Sequence, residues 1–163
     1  MSEYRRQVSL YVPAPESLAF ERVRRVADPI QFALIPAHVT ACREDEVADW
    51  DLLTERLAKL TSISITISFG APTPLGAGWL LPTEGETLEF DSFRQYLLQG
   101  FAPCTRKHHA HITLLHPRNA IPNSPDFEDV AKFDFPKTVL FSRASLIQQV
   151  DGGPWRELAV YPS

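Results

Sequence analysis

Apolar and polar residues alternate in some segments of the chain and follow a period of three to four residues in others. Strict alternation is typical of a half-buried strand, whereas the longer period gives a helix with one apolar face. In the first half, the pattern predicts strands over residues 7–12, 37–43 and 62–69 and helices over 15–27 and 46–60. In the second half, it predicts strands over 79–83, 109–116, 138–150 and 155–161 and helices over 87–99 and near 127–133.

The two halves share one order of elements, which is strand, helix, strand, helix, strand, and a further strand ends the second half. A segment rich in glycine and proline, residues 70–78, separates them. The 163 residues suffice for one domain with a sizeable core. We therefore predict a single α+β domain over residues 1–163, duplicated into lobes at about 1–75 and 76–163, with exchange of strands between the lobes left open.

One short motif occurs on the second predicted strand of each half, as His38-Val39-Thr40 and as His111-Ile112-Thr113. Residues i and i+2 of a strand lie on one face, about 6.5–7 Å apart, and the residue between them points to the opposite face. Val39 and Ile112 are therefore expected in the core. Two such strands side by side would bring two imidazoles and two hydroxyls to one cleft.

These four side chains suit an in-line reaction at a phosphodiester. An imidazole with a pKa near 6.5 can be a neutral base or a charged acid around neutral pH, so two of them can activate water and protonate a leaving oxygen. Thr40 and Thr113 would donate hydrogen bonds to the phosphate oxygens as charge builds on them. Substrate orientation decides the two histidine roles, and we take His38 as the acid and His111 as the base.

Composition and charge limit the partners. Hydrophobic residues make up 44% and charged residues 22% of the chain, which is close to the globular average. The formal net charge is −4, and this acidic balance argues against binding along extended RNA or DNA, although local basic groups can still bind a small anion. No apolar run indicates an export signal or a membrane span, and the two cysteines form no zinc-ligand spacing, so we expect a cytoplasmic protein.

The paired His-x-Thr tripeptides, about half a chain apart on strands of a repeated α/β lobe, resemble the two-histidine phosphoesterase superfamily. This group includes the 2′-5′ RNA ligase-like (LigT-like) proteins and the cyclic phosphodiesterases. The resemblance rests on residues 36–40 and 110–114; Ala41 departs from it mildly, because a larger aliphatic residue is more usual there. It implies antiparallel sheets that line a central cleft, with helices outside.

The same resemblance implies a metal-independent reaction with no cofactor, most often the opening of a 2′,3′-cyclic phosphate to a 2′-phosphate. We therefore interpret the chain as a phosphoesterase that acts on a 2′,3′-cyclic phosphate or a 2′-5′ linkage of RNA or a nucleotide. Its expected partner is a small nucleotide or an RNA end, and we expect a monomer that binds neither extended nucleic acid nor membrane.

Other interpretations remain open at this point. The reverse reaction, ATP-independent 2′-5′ RNA ligation, would need an RNA-sized basic surface, and a non-catalytic module could merely hold a phosphorylated ligand. His109, His111 and His116 could instead hold a metal ion if the strand extends to His109, although no acidic residue lies nearby in that segment. Arg106, Lys107 and Arg118 attract phosphate or are plain surface charge.

Cys42 follows Thr40 by two residues, and strict alternation would place its thiol on the cleft face. Along the strand it is about 13 Å from His38, too far for a hydrogen-bonded nucleophile and base. We therefore expect a buried structural thiol.

Overall fold

The computed structural model describes residues 1–121 and 132–163. Its strands are β1 (Tyr4–Tyr11), β2 (His38–Cys42), β3 (Ile65–Ser68), β4 (Thr73–Leu75), β5 (Gly78–Pro82), β6 (His111–Leu115), β7 (Thr138–Phe141), β8 (Ala144–Val150) and β9 (Arg156–Tyr161). Its helices are α1 (Ser17–Ala27), α2 (Pro29–Leu34), α3 (Trp50–Ala58) and α4 (Leu88–Leu98), with short 3-10 turns at Glu44–Glu46 and Pro117–Asn119. In this part of the chain no helix is long and apolar enough to cross a bilayer.

Seven strands form one antiparallel sheet in the order β4-β5-β6-β2-β1-β8-β9, and β3 pairs with β7 in a second, two-stranded sheet. The two strands that carry the His-x-Thr motifs, β2 and β6, are neighbours near the middle of the large sheet. Strand β8 of the second half pairs with β1 of the first, and β9 pairs with β8, so strands of both halves share the sheet. The fold is α+β, as the sequence predicts.

The helices cross between the two halves. Helix α1, from the first half, packs against β6, and helix α4, from the second half, packs against β2 and β3. The alternating apolar residues of the strands meet the apolar faces of the helices in the core, where Phe20 of α1, Leu53 of α3 and Phe90 of α4 are almost fully buried. Each motif strand therefore rests on a helix from the other half of the sequence.

Two predicted elements have different bounds in the structure. The predicted strand over residues 138–150 is two strands, because β7 pairs with β3 in the small sheet and β8 pairs with β1 in the large one. The chain changes sheets at Ser142 and Arg143, which are both exposed. The predicted helix over 46–60 begins only at Trp50, because the Asp49 side chain caps it by accepting from the Leu52 amide.

Strand β4 and helix α2 are not predicted from the sequence. The glycine- and proline-rich segment over 70–78 contains β4, which forms a hairpin with β5. Gly78 is required there, since a Cβ at this position would lie 2.2 Å from the Leu115 carbonyl oxygen of β6. Helix α2 follows α1 directly, because Asp28 both ends α1 and caps α2 through the Gln31 amide. The helix predicted near 127–133 falls at residues 127–131 outside the described part of the chain.

Candidate active site

The two motifs lie side by side across the sheet. Val39 pairs with Ile112, so the antiparallel register sets His38 opposite Thr113 and Thr40 opposite His111. Val39 and Ile112 are fully buried, as predicted, while the other four side chains line one cavity of about 880 Å³. The structure therefore brings together the four residues that the sequence pattern selected.

A β-bulge follows each motif threonine. Thr40 pairs with Ser9 and Cys42 pairs with Val8, so Ala41 is the extra residue of β2. On β6 the extra residue is Leu114, because its neighbours on either side take up consecutive partners on β5. Each bulge shifts the alternation by one residue, so Cys42 turns into the core and is fully buried. The sequence-based placement of Cys42 on the cleft face is thus wrong, whereas its expected burial is confirmed.

Both motif histidines make the same backbone contact. The His38 Nδ1–H donates to the Pro36 carbonyl at 2.8 Å, and the His111 Nδ1–H donates to the His109 carbonyl at 2.7 Å. A carbonyl only accepts, so the proton of each neutral ring is on Nδ1. Within residues 1–121 and 132–163 neither Nε2 has a hydrogen-bond partner, so its lone pair can accept a proton from substrate or water. The acceptors come from the irregular segment before each strand, which the motif pattern does not indicate.

Buried side chains hold the segment that precedes His38. The Arg24 guanidinium, only 1% exposed, donates to the Ile35 carbonyl at 2.7 Å. The Glu21 carboxylate accepts from the Ala37 amide at 3.0 Å and also pairs with Arg24. These contacts from α1 fix the chain on both sides of the Pro36 carbonyl that orients the imidazole.

Arg43 fixes the segment that precedes His111. Its guanidinium donates to the Arg106 carbonyl at 2.7 Å and to the Lys107 carbonyl at 3.2 Å. The segment before the second motif is therefore fixed by the residue that follows β2, and β6 begins at His111, not at His109. His109 is exposed and contributes its carbonyl to the site.

A buried carboxylate supports each bulged strand. In each half, the fifth residue after the motif histidine donates a backbone hydrogen bond to such a carboxylate. The Arg43 amide donates to Glu46 at 3.0 Å, and the His116 amide donates to Asp28 at 2.9 Å. Glu46 also pairs through both oxygens with Arg94 of α4, at 2.9 and 2.6 Å. Arg94 in turn donates to the Ala41 carbonyl at 2.6 Å, so an ion pair anchored on α4 holds the bulge of β2.

Burial shifts the protonation of both motif histidines. Loss of hydration, with the positive charge of Arg24 nearby, lowers the pKa of His38 to about 4. Loss of hydration, with His109 nearby, also lowers the pKa of His111 below 6.5. Both rings are therefore neutral in the free protein at neutral pH. Whichever histidine is the acid needs the negative charge of a bound phosphate to raise its pKa.

We predict that the pH profile of kcat/KM, which reports the free protein, has its maximum on the acidic side of 6.5. A bound phosphate favours the imidazolium form, so the profile of kcat should lie at higher pH than that of kcat/KM. Steady-state rates between pH 4 and 9 on one substrate test this. Coincident profiles centred above pH 7 would contradict it.

The cavity is cationic although the chain is acidic. Besides buried Arg24, six basic side chains line it: Arg5, Arg6, Arg43, Arg106, Lys107 and Arg118. The acidic residues that line it are Glu44 and Asp45. Within residues 1–121 and 132–163, Arg6, Lys107 and Arg118 form no ion pair. The sequence leaves the roles of the last two open, and the structure adds Arg5 and Arg6 of β1 and Arg43, which follows β2.

The histidines considered as metal ligands take other partners. His116 Nδ1 accepts from the Arg118 amide at 3.2 Å, and His111 Nδ1–H donates to the His109 carbonyl. The described residues contain no group of three His, Cys, Asp or Glu side chains arranged to hold a metal ion. His108, which the sequence did not single out, is packed on Phe90 with ring centroids 5.9 Å apart.

The fold has close counterparts among solved structures. Escherichia coli LigT complexed with NADP+ matches with a TM-score of 0.65 and 16% identity, covering 96% of each chain. LigT complexed with phosphate matches at 0.62 and 14% identity, over 99% of this chain and 98% of that one. The protein TT0787 of Thermus thermophilus matches at 0.60 and 17% identity over 96% of each. No protein-family model and no curated protein sequence matches the chain. The LigT-like fold predicted from the two motifs is confirmed over nearly the whole chain.

Proposed function

We propose that this protein is a metal-independent phosphoesterase that hydrolyses a 2′,3′-cyclic phosphate or a 2′-5′ phosphodiester of a nucleotide or an RNA end. The observation that carries the proposal is the matched pair of imidazoles. Both have the proton on Nδ1, both have Nε2 free, and both line one cationic cavity beside a threonine. The likeness to LigT, whose structures hold phosphate, ATP and NADP+, supports a ligand that contains phosphate.

The groups of the site fit an in-line displacement. The Nε2 of one histidine takes a proton from water, whose oxygen forms a bond to phosphorus while the bond to the ribose 3′-oxygen breaks. The other histidine, protonated in the complex, gives its proton to that oxygen, and a 2′-phosphate remains. The hydroxyls of Thr40 and Thr113 donate to the non-bridging oxygens, where charge increases in the transition state. With His38 as the acid, His111 is the base.

Removing either threonine hydroxyl should slow the reaction without unfolding the protein. We expect Thr40→Val and Thr113→Val each to lower kcat by roughly 10- to 100-fold, because each loses a donor to the developing oxyanion. Steady-state rates measure this, with Thr66→Val on the exposed face of β3 as the matched control. Equal rates in the two site variants and the control would assign the threonines a structural role only.

Turnover of defined substrates tests the proposal as a whole. We expect 2′,3′-cyclic mononucleotides or short RNAs with cyclic-phosphate or 2′-5′ linkages to be hydrolysed with EDTA present, and not by the His38→Ala/His111→Ala double variant. The position of the phosphate in the product shows which ribose oxygen leaves. Activity lost on chelation would instead indicate a metal-dependent reaction, and phosphate-ligand binding without turnover would indicate a binding module.

Ligation of RNA ends is the second candidate function. The cationic cavity favours it, whereas the overall charge of the chain does not. The −4 net charge argues against an RNA-sized basic surface, yet seven of the 16 lysine and arginine residues line the cavity. Incubation of an RNA ending in a 2′,3′-cyclic phosphate with an RNA bearing a 5′-hydroxyl separates the two reactions. A longer, 2′-5′-linked product would assign ligation, and a shortened or opened end would assign hydrolysis.

A further inference from the structure

One planar pair of side chains in the cavity has no role in the proposed chemistry. Trp155 is half-buried, and its amide donates to the Leu34 carbonyl at 2.9 Å, which joins the start of β9 to the end of α2. The centre of the Arg5 guanidinium lies over the indole, 5.4 Å from the ring centroid. Both residues line the same cavity as the motif histidines. Together they form what we term the Trp155–Arg5 platform.

Hydrogen bonds from the edges of its guanidinium hold Arg5 in place. Its Nε donates to Glu44 at 2.8 Å and its Nη1 to Gln149 at 3.4 Å, and these bonds hold the guanidinium over the indole. The side chain still keeps 42% of its surface exposed. A guanidinium held over an aromatic ring offers flat surfaces on which a nucleobase can stack, whatever the identity of the base.

The separation between the platform and the motif residues indicates how long a ligand must be to reach both. Ser9 of β1 is opposite Thr40, and Arg5 lies four residues farther along the same strand. Four strand residues span about 13 Å. That separation exceeds the reach from a phosphate to the base of its own nucleotide, which is linked to it through a single ribose. The platform is therefore placed for the base of a neighbouring nucleotide.

The charges along the cavity agree with a second phosphate. Lys107, which comes from the segment that Arg43 fixes, lines the cavity. Among the described residues Lys107 is in no ion pair. A cyclic phosphate at the motif histidines carries a single charge, so this cation is available to the phosphodiester that links two nucleotides.

We propose that the substrate is an oligonucleotide end of at least two nucleotides, with the penultimate base stacked on the Trp155–Arg5 platform. This inference rests on the proposed function for the reaction at the terminal phosphate, but the binding of a dinucleotide is separate from its turnover. The platform gives selectivity for chain length with tolerance of base identity.

The test compares three ligands that differ in length. These are glycerol 1,2-cyclic phosphate, adenosine 2′,3′-cyclic phosphate and the dinucleotide ApA with a terminal 2′,3′-cyclic phosphate. We expect the wild type to prefer the dinucleotide over the mononucleotide in kcat/KM by about 10-fold, the contribution of one stacked base. Trp155→Leu should abolish this preference and leave the rates on the two shorter substrates within about twofold of wild type.

Two further variants separate stacking from charge and from folding. Arg5→Lys keeps the charge and loses the plane, so it should also lose the preference for the dinucleotide. Trp50→Leu, at the start of α3 outside this cavity, is the matched control and should retain it. A wild type that does not distinguish the mononucleotide from the dinucleotide, or a Trp155→Leu variant equally slow on all three substrates, would overturn the inference.

Affinity gives a readout that does not depend on catalysis. The ligands are adenosine 3′-phosphate and ApA 3′-phosphate, titrated by calorimetry into wild type and Trp155→Leu. Tighter binding of the dinucleotide by the wild type alone supports the platform even if no substrate is turned over, a result that would refute only the proposed function. Equal affinities in the wild type would refute the platform and leave the proposed function standing.

Discussion

Either motif histidine alone, when replaced by alanine, should lower turnover by about 1,000-fold or more, because each replacement removes one of the two proton transfers. We expect this of both His38→Ala and His111→Ala, since their rings have equivalent tautomers and equivalent backbone contacts. Steady-state rates on a 2′,3′-cyclic substrate measure the loss. The two losses should be far from additive in the double variant, because the two groups act on one transition state.

Folding and chemistry can be separated in these variants. Each histidine lines an open cavity, so thermal unfolding should change little on its removal. Free imidazole added to either alanine variant should restore part of the rate, because it can replace a proton carrier but not a structural side chain. Near-wild-type rates in both variants would end the two-histidine hypothesis, and lost rates with a collapsed Tm and no rescue would assign the histidines to the fold.

Glu46→Ala should be strongly destabilising, at about 3 kcal/mol of unfolding free energy or more. It leaves the Arg94 guanidinium, whose side chain is only 17% exposed, without its carboxylate partner. It also removes the acceptor of the Arg43 amide. Urea unfolding followed by circular dichroism measures the loss.

The change should also reduce catalysis, because Arg94 holds the Ala41 carbonyl of the bulge that follows Thr40. Glu55→Ala, on the exposed face of α3, is the matched control and should change stability by less than about 0.5 kcal/mol. If Glu46→Ala proved as stable as Glu55→Ala, the ion pair would not support the bulge. A Glu46→Gln variant, which keeps the acceptor for the Arg43 amide, should lose less stability than Glu46→Ala.

The sequence predicts most strands and helices because their apolar periods are local properties. It fails where the outcome depends on a distant partner. The strand over 138–150 divides because its two parts pair with β3 and β1, and nothing within the segment records those partners. The bulge at Ala41 is equally invisible, since it is defined by the register with Val8 and Ser9.

The candidate site shows the same division. The two tripeptides identify His38, Thr40, His111 and Thr113, because alternation along a strand dictates which side chains share a face. The groups that orient those side chains could not be found in this way. Arg24 reaches the segment before β2 from helix α1, and Arg43, which follows the neighbouring strand β2, reaches the segment before β6. These contacts join residues 11 and 63 positions apart in sequence, and no local pattern records them.

The crossed helices have a consequence for how the protein handles its ligand. Helix α1, from the half that carries β2, packs against β6, and helix α4, from the half that carries β6, packs against β2. A separation of the two motif strands would therefore disturb the packing of both helices. The spacing between the two imidazoles is therefore set by the pairing of β2 with β6 at Val39 and Ile112 and by the helices beneath these strands. If the proposed function holds, we expect this spacing to select substrates, and adaptation to new ones to come from the loops and side chains around the cavity.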